Sequence, residues 1–272
     1  MPDPTAVAAR IDGVSSDHNR AVRTEFRRQS PTFEGEDSFF ADPRLAGWVA
    51  RHLEPFDASM LVLEVACGGA HQGESIAPHV GRVVGADLTP EMLDVARRRL
   101  HDRSVDRVAL ARADVARLPF PDDSFDLAFC RFAVHHFADP HEQLDEMARV
   151  SRTGGRVAVV DLMSADPELA DAYNDVERRR DPSHTRALTA GELERAVEAA
   201  GTTLEHTTRV DVRAPVERWL AQASTPPDVA EAIRAELRSE LAGGTPTGMR
   251  PVDDGGLHYT QTWQITVGRV GE

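Results

Sequence analysis

Two rhythms of apolar and polar positions run along this chain. Between residues 60 and 161, five short segments are almost wholly apolar: MLVLEVAC at 60–67, RVVGAD at 82–87, RVALA at 107–111, FDLAFC at 125–130 and RVAVVD at 156–161. Segments of that length, apolar at consecutive positions, suit strands buried on both faces of a sheet. The stretches between them carry helix signals instead. Thr89-Pro90 offers an N-cap followed by proline at the first helical position, opening a helix that runs to about Leu100. Asp139-Pro140-His141-Glu142 and Thr189-Ala190-Gly191-Glu192 have the spacing of capping boxes, with Gly154-Gly155 and Gly201 as the stops. Strands alternating with helices predict a parallel sheet joined by right-handed crossovers, a doubly wound α/β fold.

The flanks read differently. Residues 17–30 form a basic, amphipathic helix candidate, with Val22 and Phe26 four apart and Pro31 as its stop. Phe33, Phe39, Phe40 and Trp48 follow closely, in a chain that is only 6% aromatic. Residues 203–212 and 257–267 alternate apolar and polar like strands, and the helical insertion between them carries a stripe of Val229, Ile233, Leu237 and Leu241. A second insertion, 164–188, is acidic and rich in arginine. Both insertions follow strand ends, where open α/β sheets hold their ligands. No internal repeat is visible.

Composition narrows the chemistry. The 272 residues suffice for one large domain. A net charge of −14, with no basic tract, argues against a surface that tracks nucleic-acid phosphates. All 31 basic residues are arginine, which excludes lysine Schiff bases, lysine general bases and lysine phosphate clamps. Cys67 and Cys130, the only cysteines, sit inside apolar runs and imply neither a disulfide scaffold nor a metal framework. No apolar run approaches the roughly 18–20 residues of a membrane span, and residues 1–13 lack the apolar core of a secretion signal. The expectation is a soluble, reduced, cytoplasmic protein without membrane insertion or bound metal.

A glycine break after the first apolar strand, with an acid ending the second, is a layout for an adenosine-containing ligand. Three ligand classes compete. The dinucleotide fingerprint G-x-G-x-x-G is absent, because the loop reads ACGGAHQG. Residues 68–75 match the spacing of a phosphate-binding G-x-x-x-x-G-x-S loop, but Glu74 stands where that loop needs lysine. The third class fits. Glu64-Val65-Ala66-Cys67-Gly68-Gly69-Ala70 resembles the first motif of the class I S-adenosylmethionine-dependent methyltransferases, an acid followed by glycine or alanine at alternate positions. Residues 83–93 (VVGADLTPEML) resemble the second motif, and Ala113-Asp114-Val115 with Leu118-Pro119-Phe120 the third. Residues 125–140 (FDLAFCRFAVHHFADP) resemble the fourth, and Arg152-Thr153-Gly154-Gly155 the turn before the fifth strand. The spacings also suit the family, with 23 residues from Glu64 to Asp87 and 27 from Asp87 to Asp114. The resemblance covers about residues 55–165, and the subgroup it resembles is that of the quinone-biosynthesis-type and small-molecule methyltransferases.

That resemblance implies a Rossmann-like, mostly parallel seven-stranded sheet with helices on both faces and a C-terminal antiparallel strand. Residues 1–54 would form an N-terminal helical lid and 55–165 the cofactor-binding core. Residues 166–272 would supply substrate-side insertions and the strands completing the same sheet. The implied cofactor is S-adenosyl-L-methionine, and the implied reaction is methyl transfer to a small organic acceptor by in-line displacement, with O-, N- or C-methylation open. Asp87 would accept the ribose hydroxyl protons, and Ala66 and Gly68 would let the backbone approach the methionine end. Glu64 would reach the ammonium group through water. Asp114 would accept from the adenine amino group, with Leu88 and Val115 against the ring and Met92 nearby. Arg131 and Cys130, at the end of the fourth strand, would face the sulfonium and methyl region. Ala70 replaces the last glycine of the first motif, and its methyl is expected to press on the loop. Phe26, Gln29 and Phe33 resemble an F-x-x-Q-x-x-x-F lid that closes over the cofactor; a helix simply packed on the sheet is the alternative.

On the acceptor side, His135 and His136 follow the fourth strand and are candidates for a general base, against one packed histidine and one helix starter. His71, beside the cofactor loop, is expected to be structural. Phe39, Tyr173, Arg180, His184, Trp219 and Tyr259 are candidates to contact the acceptor, and Trp219, His258, Tyr259 and Trp263 to line an aromatic pocket, against core packing for the aromatics and a solvated face for the arginine-rich run. No D/N-P-P-Y/F follows the fourth strand, no Pro-Cys dipeptide marks a cytosine nucleophile, and no acid cluster there suits metal-dependent catechol chemistry. A small acceptor such as a phenol or quinol remains. A protein of the same fold that binds the cofactor without transferring methyl, cyclase-like or regulatory, is the alternative, and a homodimer stays open.

Overall fold

The computed structural model describes residues 17–33 and 42–271, so Phe39 lies outside the described residues. The elements in chain order are α1 (Asp17–Gln29), α2 (Pro43–Leu53), β1 (Leu61–Val65), α3 (His71–Ile76), β2 (Arg82–Asp87), α4 (Pro90–Asp102), β3 (Val108–Arg112), β4 (Phe125–Arg131), α5 (Pro140–Val150), β5 (Ser151–Met163), α6 (Ala170–Arg180), α7 (Ala190–Ala199), β6 (Thr202–Pro215), α8 (Val216–Gln222), α9 (Pro227–Leu241), β7 (Pro251–Asp253) and β8 (Leu257–Val270). Among the described residues, no helix is long and apolar enough to cross a membrane.

The five apolar segments become β1 to β5, which pair in parallel in the order β3-β2-β1-β4-β5. Strand order reverses between β1 and β4, so the two sets of crossovers leave in opposite directions and open a crevice at the carboxyl ends. β8 lies antiparallel between β5 and β6. These make the expected seven strands, and the three-residue β7 adds an eighth alongside β8.

Alternation across the sheet divides the core in two. β5 sends Ala158, Val160 and Leu162 to one face and Val157, Val159 and Met163 to the other. The first face is covered by helices that include α2, α3, α4, α8 and α9, through side chains such as Val49, Ile76, Leu93, Trp219 and Ile233. The second lies under α5 and α7, through Leu144, Met147, Leu193 and Val197. Emptying one of these fully buried positions, as in Leu144→Ala, costs about 2–5 kcal/mol.

Local signals hold at several element ends. Thr189 and Glu192 form a reciprocal capping box on α7, and the Asp139 carboxylate accepts from the His141 N–H at the start of α5. Two readings shift. The stripe on α9 is buried only in its middle: Ile233 and Leu237 are buried, with Ala230 beside them, whereas Leu241 is 43% exposed. Steps of four residues advance about 400° each, so the stripe drifts about 120° around the helix between Val229 and Leu241. β5 also starts at Ser151, ahead of the glycine pair expected to precede it. The pairing with β4 jumps from Phe125↔Ser151 to Leu127↔Arg156, so the glycines bulge out of the ladder. A Cβ on Gly155 would come within 2.7 Å of the Arg152 carbonyl, which is why glycine is needed there.

Candidate active site

A cavity of about 570 Å³ lies across the carboxyl ends of β1 to β5 and extends over β8 and β6. Its first end is made by loops. After β1, Ala66, Gly68 and Ala70 all adopt left-handed backbone, with φ of 50°, 52° and 54°. For the two alanines this costs about 1–2 kcal/mol each. The loop turns the Gly68 N–H onto Asp87 Oδ2 at 2.8 Å, while the Thr89 N–H donates to Oδ1 at 2.8 Å. Both oxygens of Asp87 are thus held by backbone, and Asp87 still lines the cavity. Burial raises its pKa against those hydrogen bonds. The Ala70 methyl is fully buried in the core beneath the loop and does not line the cavity.

Below the loop sit charges removed from water. Glu64 accepts from the Gly73 N–H at 2.8 Å and lies behind the cavity wall. Burial pushes its pKa up to about 7, opposed by the nearby Arg131. Arg131 is on the wall, donates to Gln72 Oε1 at 3.4 Å, and is lowered by burial to about 10. Glu74, which spoiled the phosphate-loop pattern, is tied to Arg99 at 2.6 Å and Arg103 at 3.4 Å. It fastens the loop to α4.

Helix α1 closes this end. Asn19 donates to Asp114 Oδ2 at 2.7 Å, and Gln29 donates to Asp181 Oδ2 at 3.0 Å. The Phe26 ring meets the His136 ring edge-on at 4.9 Å. Phe33 packs with Met92 and Val95. Ala66, Gly68, Asp87, Leu88, Met92, Asp114, Val115, Arg131, Phe26 and Gln29 all line the cavity; of the cofactor candidates Glu64 and the fully buried Cys130 do not.

His135 and His136 also line it, in different settings. The His135 Nδ1–H donates to Asp161 Oδ1 at 2.6 Å, and its backbone N–H donates to Asp161 Oδ2 at 3.0 Å. The Leu162 N–H adds a third bond to the same carboxylate at 2.7 Å. A carboxylate only accepts, so this contact puts the proton on Nδ1 and leaves Nε2 as an acceptor. The His136 Nδ1–H donates to the Ser183 carbonyl at 3.0 Å, and burial together with the neighbouring His135 pulls its pKa down to about 4.

Arg180, Trp219, Tyr259 and Trp263 line the end over β8 and β6, whereas Tyr173 and His184 lie behind the wall and His258 does not line the cavity. The Tyr173 hydroxyl donates to Glu177 Oε1 at 3.2 Å, and His184 Nε2 donates to Asn174 Oδ1 at 2.7 Å. Three contributors escaped the sequence reading. Asp161 showed itself only as an acid closing the fifth apolar run, Asn19 as one polar residue in a basic helix, and Trp48 as part of an aromatic cluster. Among the described residues, no group of three or more His, Cys, Asp or Glu side chains is placed to hold a metal ion.

Comparison with known proteins agrees with this fold. Residues 63–159 match the family model described as a methyltransferase domain. The chain is 31% identical over 215 residues to the uncharacterized methyltransferase YcgJ of Bacillus subtilis, covering 79% of this chain and 84% of that one. The crystal structure of YcgJ superposes with a TM-score of 0.76 at 27% identity, over 84% of this chain and 98% of that chain. A demethylmenaquinone methyltransferase of Clavibacter sepedonicus is 34% identical over 159 residues, 58% of this chain and 59% of its own length. The [4+2]-cyclase SpnF shares the fold at 17% identity, with a TM-score of 0.68 over 95% of this chain and 97% of that one.

Proposed function

Because the chain belongs to the S-adenosylmethionine-dependent methyltransferase family, we propose that it methylates the hydroxyl oxygen of a small acceptor, with His135 as general base. The cavity's first end suits the cofactor. Asp87 is a wall carboxylate already oriented by two backbone N–H groups, with lone pairs left for a ribose diol. A Cβ on Gly68 would stand 3.2 Å from Met92 Cε, so this loop leaves backbone rather than side chain facing the methionine end. Asp114, Val115 and Leu88 would hold the adenine. Arg131 would meet the carboxylate of the methionine end, since a guanidinium repels a sulfonium. When bound, S-adenosyl-L-methionine supplies an electrophilic methyl group on a good neutral leaving group.

The observation that carries the proposal is the Asp161–His135 pair, with His135 on the cavity wall and Asp161 behind it. Asp161, anchored by two backbone N–H groups, fixes the His135 tautomer with Nε2 unprotonated. Nε2 takes the acceptor proton as the oxygen attacks, and Asp161 stabilises the imidazolium that forms. His136 is a poor base by comparison, because its partner is a neutral carbonyl and burial resists its charging. The acceptor is a small molecule, and we place the reaction in the cytoplasm, where the free thiols Cys67 and Cys130 stay reduced.

The test pairs calorimetry with turnover. The purified protein should bind S-adenosylmethionine and S-adenosylhomocysteine, and should release S-adenosylhomocysteine with hydroxylated acceptors. His135→Gln should lower turnover about 10²- to 10⁴-fold with cofactor affinity unchanged. Unchanged turnover in that variant removes the base; no binding of either cofactor form removes the function.

A further inference from the structure

The acceptor end of the cavity is built from sheet face rather than loops. β8 presents Tyr259, Gln261 and Trp263 to it at alternate positions, and β6 presents Val210, Val212 and Ala214. The register pairs Val210 with Trp263, Val212 with Gln261 and Ala214 with Tyr259, and sets Leu162 of β5 beside Trp263. Residues paired across antiparallel strands share a face, so these side chains make a continuous floor. Over that face, α2 brings Trp48 and α8 brings Trp219 to the same cavity. The Trp219 ring lies 4.8 Å from Tyr259, and Phe132 meets Trp263 edge-on at 5.1 Å. The chain has three tryptophans, and all three line this one cavity.

We propose that this end is a stacking slot for a fused, planar hydroxyaromatic acceptor that is neutral or anionic. It rests on the reading above only for the acceptor's hydroxyl group. Broad π faces on a flat floor favour a flat ring system over an aliphatic alcohol. Aromatic walls also hold cations, and charge decides between the two. The described acids at this end are Asp42 and Asp181. Asp42 is held by the Arg44 backbone N–H and guanidinium, and Asp181 by Gln29 and Ser183. Asp42 is thus ion-paired, and Asp181 lies 4.0 Å from the Arg180 guanidinium; Arg180 and Arg213 are themselves paired with Glu177 and Asp254, so Arg51 is a cation of this wall to which no described acid is paired. The Tyr259 hydroxyl, to which no described residue is hydrogen-bonded, is positioned on the floor for a ring oxygen. Burial keeps that phenol well above its ordinary pKa, so it remains a donor.

The test is calorimetric titration of the full-length protein in saturating S-adenosylhomocysteine. The probes are 2-naphthol and 6-hydroxy-2-naphthoate, with cyclohexanol and 1-naphthylmethylamine as controls. Both naphthols should bind, and neither control should. Trp48→Leu, at a half-buried helix position, should weaken the naphthols about three- to ten-fold and leave S-adenosylhomocysteine affinity unchanged. Tyr259→Phe, which keeps the ring, should weaken them while preserving the fold. Tighter binding of the amine or of cyclohexanol overturns the proposal, as does naphthol affinity indifferent to both substitutions. If S-adenosylhomocysteine binds but neither naphthol does, the slot is rejected and the methyltransferase reading stands. If S-adenosylhomocysteine fails to bind, that reading falls, and the same naphthol titration without it still decides the slot.

Discussion

The two ends of the cavity solve opposite problems with one sheet. At the parallel end, polar groups are committed in advance: the buried Asp87 and the half-buried Asp114 each accept from backbone N–H, and the buried Glu64 accepts from Gly73. At the antiparallel end the surface is mainly aromatic and aliphatic, and shape comes from alternate side chains on β6 and β8. A loop after a parallel strand presents backbone donors at fixed places, which suits a ligand of fixed chemistry. A sheet face presents side chains, each of which can change without moving the backbone. Under the proposed function, that difference gives constancy to the end we propose for the cofactor and specificity to the end we propose for the acceptor.

Substitutions can break that division. The largest effect is expected from Asp161→Asn. The amide oxygen keeps the side that accepts from both His135 Nδ1–H and Leu162 N–H, but a neutral amide no longer stabilises the imidazolium that His135 becomes when it takes the proton. Turnover should fall about 10²- to 10⁴-fold with calorimetric cofactor affinity intact. A parallel loss of cofactor binding would show the two ends to be one unit. Next comes Asp87→Ala, which should weaken S-adenosylmethionine binding about 10- to 150-fold, the worth of a charged hydrogen bond, and leave naphthol binding unchanged.

The ends should also titrate with opposite sign. Glu64 is raised from 4.5 to about 7, so the folded state holds the extra proton between those values and stability declines as pH rises through that window. His136 is lowered from 6.5 to about 4, so the unfolded state holds the extra proton and stability declines as pH falls from 6.5 towards 4. Denaturant titrations from pH 4 to 8 should show Glu64→Gln flattening the alkaline decline and His136→Gln the acid one, each by on the order of 2 kcal/mol. The smallest effect separates two alanines. Ala66→Gly should stabilise by about 0.5 kcal/mol, because relief of left-handed strain exceeds the added chain entropy. Ala70→Gly should be close to neutral, because its fully buried methyl contributes about 0.8 kcal/mol that the glycine gives up. Equal shifts in thermal melts would mean that strain does not govern the loop.

Legibility followed the same division. β1 to β5 are buried on both faces, so their residues are apolar at consecutive positions and stand out in one dimension. The loop after β1 was readable from glycine spacing, but not the left-handed alanines, since alanine carries no mark of that backbone. His135 was visible as a candidate, yet its setting was not, because Asp161 comes from another strand 26 residues on. Tyr173 and Trp219 looked alike as aromatics in an insertion. One lies behind the wall and the other on it, a distinction set by how α6 and α8 rotate onto the sheet.

By itself the sequence determined the parallel strands, their helices, the motif-bearing loops and hence the family. Each of those is specified by residues close together in the chain, through periodicity, capping and the special freedom of glycine. Tertiary structure alone decided that β8 enters between β5 and β6, that Trp48 joins Trp219 and Trp263 across one cavity, and that Asp161 orients His135. Those contacts join segments far apart in sequence. Their partners are selected by packing of the whole sheet, a choice no local pattern encodes.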